Sequence, residues 1–407
     1  MIGEMRQEAE RLYRLAVAAA DPEAAVRAAL ERQPPAGPVR VLALGKAGVA
    51  MARSALAVLG DRVREALVIT NAENAAVLPG AELVIGGHPV PDAGSERAGQ
   101  AVEALLTRLC PGEVLLALIS GGGSALMVAP VSGVTLDEKA AVSRLLLGAG
   151  LDITAMNMVR QHLSRLKGGG LLRLAGAVPV AALILSDVVG DDLAVIASGP
   201  TVAPIASRAE VRNMLRAQRL WTALPASVRH ALERAEPEGA LPAAVNRLIG
   251  SNGQSLAAMA VGGGEIWHAR LEGDVSDAAD WLVARMKAAP PGPVRAFCGG
   301  ETTVVLRGTG RGGRNQELAL RVAAGMDGVL RPWVFLSGGT DGRDGPTEAA
   351  GGLVDGGTLG RIKAAGGDWR ALLANNDSHA ALSLAGDLLV VGGTGTNVAD
   401  VQVVLMG

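Results

Sequence analysis

Val114-Leu115-Leu116-Ala117-Leu118-Ile119-Ser120-Gly121-Gly122-Gly123-Ser124 is an apolar run that passes straight into glycines, followed by Ala125-Leu126-Met127 as a plausible helix start. A short run with no polar alternation reads as a strand buried on both faces, and the glycines as a tight strand-to-helix turn. The same arrangement recurs around it. Val39 to Leu44 ends in Gly45-Lys46-Ala47-Gly48 before the helical pattern Val49 to Leu59, and Val180 to Leu185 ends in Ser186-Asp187. Leu67 to Thr70 and Leu83 to Ile85 are shorter runs of the same kind. Leu136 to Leu147 and Asn157 to Leu166 read as helices between them. Strands that alternate with helices predict an α/β fold: a larger Rossmann-like three-layer domain around a mostly parallel sheet.

Further along, Arg247 to Ile249, Val294 to Phe297, Thr303 to Arg307, Trp333 to Leu336, Leu388 to Val391 and Val401 to Leu405 read as strands with few long helices between them. A smaller mixed α/β domain follows, with residues 1–245 forming the main sequence of the larger domain and 246–407 the smaller one. Leu115 to Gly122, Trp333 to Gly339 and Val390 to Thr396 echo one another as apolar runs passing into glycines. Ligands of open α/β sheets bind at such strand ends, so the active site is expected in a cleft between the domains.

Composition narrows the function. The chain has 407 residues and a formal net charge of -2, from 38 Lys and Arg against 40 Asp and Glu, which gives no global reason for a nucleic-acid or membrane partner. Aromatic residues are only 2%, which leaves little for stacking on single-stranded nucleic acid. Cys110 and Cys298 are far apart and lack a metal-ligand pattern, so both are expected reduced in the core. The first 21 residues carry Glu4, Arg6, Glu8, Glu10, Arg11 and Arg14, an amphipathic helix pattern unlike a secretion signal, and a cytoplasmic location is the default. The 55 glycines, about twice the usual share, cluster after apolar runs, as loops built for close backbone approach would require.

Several loops carry groups suited to anions. Ser120, Gly121, Gly122, Gly123 and Ser124 offer backbone donors at a helix start, and the Ser124 hydroxyl would add a donor or a cap. Lys46 lies in a strand-to-helix turn, where an ammonium meets charge developing on a transferred phosphoryl group, or else caps the turn. Neither loop matches the P-loop or the dinucleotide fingerprint. Asp187, with Asp191 and Asp192 behind it, would hold Mg2+ or accept a proton from an alcohol, or else make a turn. Arg311-Gly312-Gly313-Arg314-Asn315 resembles a guanidinium clamp for phosphate or carboxylate, and Asp341 is a further metal candidate. Arg160 and His162 share a predicted helix that runs toward Lys167. His88, before Pro89, reads as ordering a turn.

Taken together, Gly45-Lys46-Ala47, Gly87-His88-Pro89-Val90-Pro91-Asp92, Ser120 to Leu126, Asn157 to Gly169, Leu185-Ser186-Asp187-Val188, Ser198-Gly199-Pro200-Thr201, Gly313 to Glu317 and Ser337 to Gly342 resemble the glycerate 2-kinase family. This is the type formerly called hydroxypyruvate reductase, whose carboxyl-terminal part is the MOFRL domain. The resemblance runs over nearly the whole chain. It implies ATP-dependent phosphorylation of D-glycerate at the 2-hydroxyl with Mg2+ or a similar divalent cation. It also implies Lys46 and Arg314 at the reaction centre, to which the reading of the strand ends adds Asp187 as the catalytic acidic candidate. Ser120 to Ser124, Arg160, His162, Lys167 and Asn315 are then candidates for phosphate or substrate, and Asp187, Asp191 and Asp341 for metal. An NAD(P)H-dependent hydroxypyruvate reductase and a noncatalytic metabolite-binding module are the alternatives; the missing glycine fingerprint speaks against the first.

Overall fold

A computed structural model describes residues 1–407. The chain divides into two compact units, one formed by Pro22–Ile249 and the other by Met1–Asp21 with Gly250–Gly407. The first contains β1 (Val39–Leu44), β2 (Val63–Thr70), β3 (Glu82–Ile85), β4 (Val114–Ile119), β5 (Val180–Leu185) and β6 (Ala244–Gly250), in the order β3-β2-β1-β4-β5-β6. The pairs β1·β2, β1·β4, β2·β3 and β4·β5 are all parallel. Along β1, Leu42 and Leu44 pack with Ala98, Val102 and Leu105 of the helix Ala93–Thr107 on one face. Val41 and Ala43, equally buried, point to the other, which the helix Gly48–Leu59 covers. Burial on both sides is why these strands carry no polar alternation.

Beside this sheet, the helices Leu136–Gly148, Ile153–His162, Arg208–Ala217 and Ala226–Glu233 form a lobe with its own core of Val142, Leu146, Val159, Val211 and Val228. The expected helix from Asn157 to Leu166 ends four residues early, at His162. Past that point Ser164 bridges to Pro130, and the Arg165 amide donates to Ala129, contacts that a continued helix would forbid.

The second unit is a mixed sheet of β7 (Glu265–Asp274), β8 (Val294–Thr303), β9 (Trp333–Gly339), β10 (Gly351–Asp355), β11 (Leu388–Leu389) and β12 (Asp400–Met406), ordered β11-β10-β9-β12-β8-β7. Only β7·β8 is parallel among the pairs β7·β8, β8·β12, β9·β12, β9·β10 and β10·β11.

The expected boundary at residue 245 moves in two respects. The strand around Arg247 completes the first sheet as β6 and does not open the second unit. The amino-terminal helix Ile2–Ala19 belongs to the second unit, because Ala9, Leu12, Tyr13 and Ala16 pack with Leu256, Phe297, Leu336 and Val403. Arg6 adds ion pairs to the buried Asp355 and Asp387, and the Tyr13 hydroxyl donates to the Gly339 carbonyl at 2.6 Å. Cys298 is buried as expected, but Cys110 is exposed. No helix is long and apolar enough to cross a membrane.

Candidate active site

In the Pro22–Ile249 unit the strand order reverses between β1 and β4, and the two loops leaving those strands are tied together. The Lys46 amide donates to the Gly121 carbonyl at 2.9 Å and the Ala47 amide to Ser120 Oγ at 3.1 Å, while Ser120 Oγ donates to the Leu44 carbonyl. Such a reversal leaves a crevice at the strand ends. Ser120, 1% exposed, is therefore a brace between loops and not the ligand donor expected from sequence. The helix after the glycines, Gly123–Leu126, is a single turn and lends little dipole to an anion.

The glycines have a more specific reason. A Cβ on Gly121 would lie 2.1 Å from Asp187 Oδ2, and one on Gly122 would lie 3.1 Å from the His88 ring and 3.4 Å from Lys46 Cγ. Gly122 also has φ +85°, which L residues seldom adopt. Lys46, Asp187 and His88 thus converge on the Gly121-Gly122 backbone, brought from the ends of β1, β5 and β3. Burial raises the Asp187 pKa, while amide donors from its own residue and Gly122 and the charge of Lys46 hold it down. Burial, helped by Lys46, lowers that of His88, so its imidazole is neutral near pH 7. No hydrogen-bonded carboxylate neutralises the Lys46 ammonium. His88 is a site neighbour that a lone His before Pro did not announce.

Behind this loop, Ser124 Oγ and Ser198 Oγ are 2.6 Å apart, and Ser198 Oγ also bonds Asn157 Oδ1 at 3.1 Å. Ala197, Ser198 and Gly199 all have positive φ, a strained turn. Gln161 Nε2 and the amides of Gly168 and Gly169 clamp its carbonyls. The expected ligand residue His162 is 6% exposed and its Nε2 is bonded to the Ala206 carbonyl at 2.6 Å, so it anchors the helical lobe. Lys167 is 5% exposed with its ammonium on the Ser124 carbonyl. Arg160 is partly buried and has no ion pair.

In the other unit, Arg314 opens the helix Arg314–Gly325 and lines a cavity of about 470 Å³ with Gly312, Gly313, Glu301 and Asp344. Its Nε and Nη2 bind both carboxylate oxygens of Asp400 at 2.6 and 2.9 Å, and Nη1 meets Glu301 at 2.9 Å. Burial works against the guanidinium charge, but Asp400, with the charges of Glu301 and Asp344, outweighs it and the pKa is raised. The helix amides that a phosphate would use are taken: Asn315 and Gln316 N–H donate to Asp344 at 3.1 and 2.8 Å. Asp344 rises to about 6, chiefly through burial, against those donors and with a contribution from Asp400. Asn315, 1% exposed, accepts from Ser337 Oγ at 2.6 Å and serves this scaffold instead of a ligand.

For a divalent cation, no three His, Cys, Asp or Glu side chains gather anywhere. Asp341 accepts the Arg343 amide in one unit, and Asp187 and Asp191 share one loop of the other; Asp192 caps the Ala194 amide. Asp191 Oδ1 is buried without a hydrogen-bond partner. Magnesium bound mainly through nucleotide phosphates needs only one or two protein carboxylates, and the Asp187 to Asp191 loop fits that mode.

Comparisons with known proteins point to a family. Residues 8–233 match a domain of unknown function designated DUF4147, and residues 294–400 match the MOFRL family. A relative from Agrobacterium vitis with a hydroxypyruvate reductase name is 39% identical over 99% of this chain and 94% of its own. The D-glycerate 2-kinase of Thermotoga maritima is 37% identical over 90% of both chains. The crystal structure of glycerate kinase from Thermotoga maritima covers 100% of both chains with a TM-score of 0.92 at 35% identity. With family models and relatives agreeing along almost its whole length, the chain belongs to the DUF4147–MOFRL family that includes the glycerate 2-kinases.

Proposed function

We infer that this chain is a glycerate 2-kinase, which moves the terminal phosphoryl group of ATP to the 2-hydroxyl of D-glycerate. The observation that carries the assignment is an ammonium free of any ion pair, Lys46, set beside the buried carboxylate of Asp187 on the Gly121-Gly122 backbone at the strand-order reversal. The acceptor oxygen attacks the γ-phosphorus as the bond to ADP breaks, and its proton passes to Asp187. Lys46 stabilises the charge spread over the non-bridging oxygens. Asp191, with Asp187 beside it in the same loop, would hold a magnesium ion together with the nucleotide's phosphates, and the ion would neutralise part of their charge there. Arg314 is a second candidate cation, with its guanidinium plane fixed by Asp400. Catalysis in the cytoplasm fits the lack of any membrane-crossing helix.

The reductase reading has one argument in its favour, because the order β3-β2-β1-β4-β5-β6 is also that of dinucleotide-binding sheets. Fold does not decide chemistry. A nicotinamide enzyme of that type carries an acidic residue on the ribose after the second strand, and here β2 runs into Asn71, whose side chain is bonded to Thr70 and Asn74. Incubation with D-glycerate, ATP and Mg2+ is expected to yield 2-phosphoglycerate and ADP. Product phosphorylated at the 3-position overturns the regiochemistry, and NAD(P)H-dependent reduction of hydroxypyruvate without kinase turnover overturns the function.

Asp187→Asn keeps the size and an acceptor for the two amides but loses the base. General-base removal costs on the order of 10²–10⁴ in rate. We expect kcat to fall at least about a hundredfold and the thermal midpoint to hold, since a buried charge has been deleted. Near-parental kcat at saturating D-glycerate, ATP and Mg2+ removes Asp187 from the mechanism.

A further inference from the structure

Three cations gather where the helical lobe of the larger unit meets the glycine loop. Lys139 comes from the helix Leu136–Gly148, Arg160 from the helix Ile153–His162, and Lys167 from the turn that follows it. The Lys139 ammonium donates to the Leu163 carbonyl at 2.7 Å and the Lys167 ammonium to the Ser124 carbonyl, so each touches only a neutral acceptor. Arg160 makes no hydrogen bond or ion pair. Nearby acids are committed elsewhere: Glu103 is bound to Arg165, while Glu138 caps Thr135 and accepts from Ser227. Burial, then repulsion from Arg160 and Arg165, lowers Lys139 to about 7. Lys167 is lowered by burial and by repulsion from Lys139 and Arg160.

Lys167 is buried and Lys139 and Arg160 are half-buried. Holding like charges together in such a place without a counter-charge is unfavourable, and groups perturbed in this way gather at functional sites, where a ligand supplies what is missing. The missing partner here is an anion. Its class follows from position and shape. Lys167 holds the carbonyl of Ser124, the last residue of the loop whose Gly121 and Gly122 face Asp187 and Lys46 respectively. A guanidinium fork with two ammonium groups suits a planar carboxylate. The acceptor molecule carries its carboxylate on the carbon next to the hydroxyl that reacts.

We propose that Lys139, Arg160 and Lys167 form the subsite for the carboxylate of the hydroxy-acid acceptor, with Lys139 as a recognition residue. The proposal rests on the kinase reading for the identity of the acceptor and on the uncompensated cluster for the subsite.

The test uses the full chain with Lys139→Met and Arg160→Met, and with Lys139→Arg as the charge-keeping control. D-glycerate binding without nucleotide is measured by calorimetry, alongside KM for D-glycerate and for ATP, and turnover of the neutral amide glyceramide. Both methionine variants should weaken D-glycerate binding and raise its KM about tenfold or more. KM for ATP should stay put, and the preference for D-glycerate over glyceramide should shrink. Lys139→Arg should retain most of the binding, and Lys139→Met without ligand should melt no lower than the parent. Folded methionine variants with parental D-glycerate affinity overturn the proposal, as does a loss that falls on ATP, which would make the cluster a phosphate site. Should Lys139→Met not fold, Arg160→Met decides alone by the same measurements. A parent chain that binds D-glycerate through these residues but turns over no ATP sinks the kinase reading and leaves the subsite; one that binds no D-glycerate sinks the subsite too.

Discussion

Lys46→Met is expected to leave the protein folded and lower kcat roughly a hundredfold, the usual cost of about 3 kcal/mol for losing one well-placed donor to a transition-state charge. Stability should be almost untouched, because the ammonium makes no hydrogen bond or ion pair and the loop is tied by backbone groups, Lys46 N–H to Gly121 and Ala47 N–H to Ser120. Methionine retains the stem that packs over Gly122. A second readout follows from the field of the same charge. Lys46 lowers the pKa of Asp187, which burial has raised. Without Lys46 the carboxylate should take up its proton at higher pH, so the acid limb of kcat against pH should move to higher pH in the variant. A merely exposed lysine would move neither number. Retention of more than about a third of parental kcat at saturation, equivalent to under 1 kcal/mol, removes Lys46 from the reaction centre.

The parts of this molecule that could be read from sequence are those where one local pattern suffices. β1, β4 and β5 are uninterrupted apolar runs because both of their faces are covered, and their predicted limits coincide with the observed ones. β7 escaped notice: it lies at the edge of its sheet, most of its ten residues are partly or fully exposed, and Glu265, Arg270 and Glu272 break any apolar run. β10 begins with two glycines, which read as a loop, although the strand is wholly buried. The amino-terminal helix looked amphipathic, but a hydrophobic face does not name the sheet it will cover. The site follows the same division. Lys46 and Asp187 stand at the ends of legible strands. The bonds joining Ser124 to Ser198 and Arg314 to Asp400 span 74 and 86 positions and leave no local trace. The guanidinium that a Gly-Gly-Arg string offers to a ligand is therefore already held by a carboxylate one strand away.

That pairing changes what Arg314→Met should do. From sequence, a residue beside paired glycines looks removable without harm to the fold. Asp400, however, has only 2% of its side chain exposed and takes two hydrogen bonds from Arg314. Deleting one partner of such a pair strands the other, at a cost on the order of 3 kcal/mol. The single variant is thus expected to lose stability and activity together, a result that a purely structural arginine would also give. The double variant Arg314→Met with Asp400→Asn separates the two roles, because it removes the stranded charge and should recover most of the thermal midpoint. If Arg314 stabilises the transferred phosphoryl group, kcat of the refolded double variant stays about a hundredfold down, the cost of a lost charge-stabilising donor. Should the double variant regain both its midpoint and more than about a third of parental kcat, the loss in the single variant came from the fold, and Arg314 acts only as the tether of Asp400.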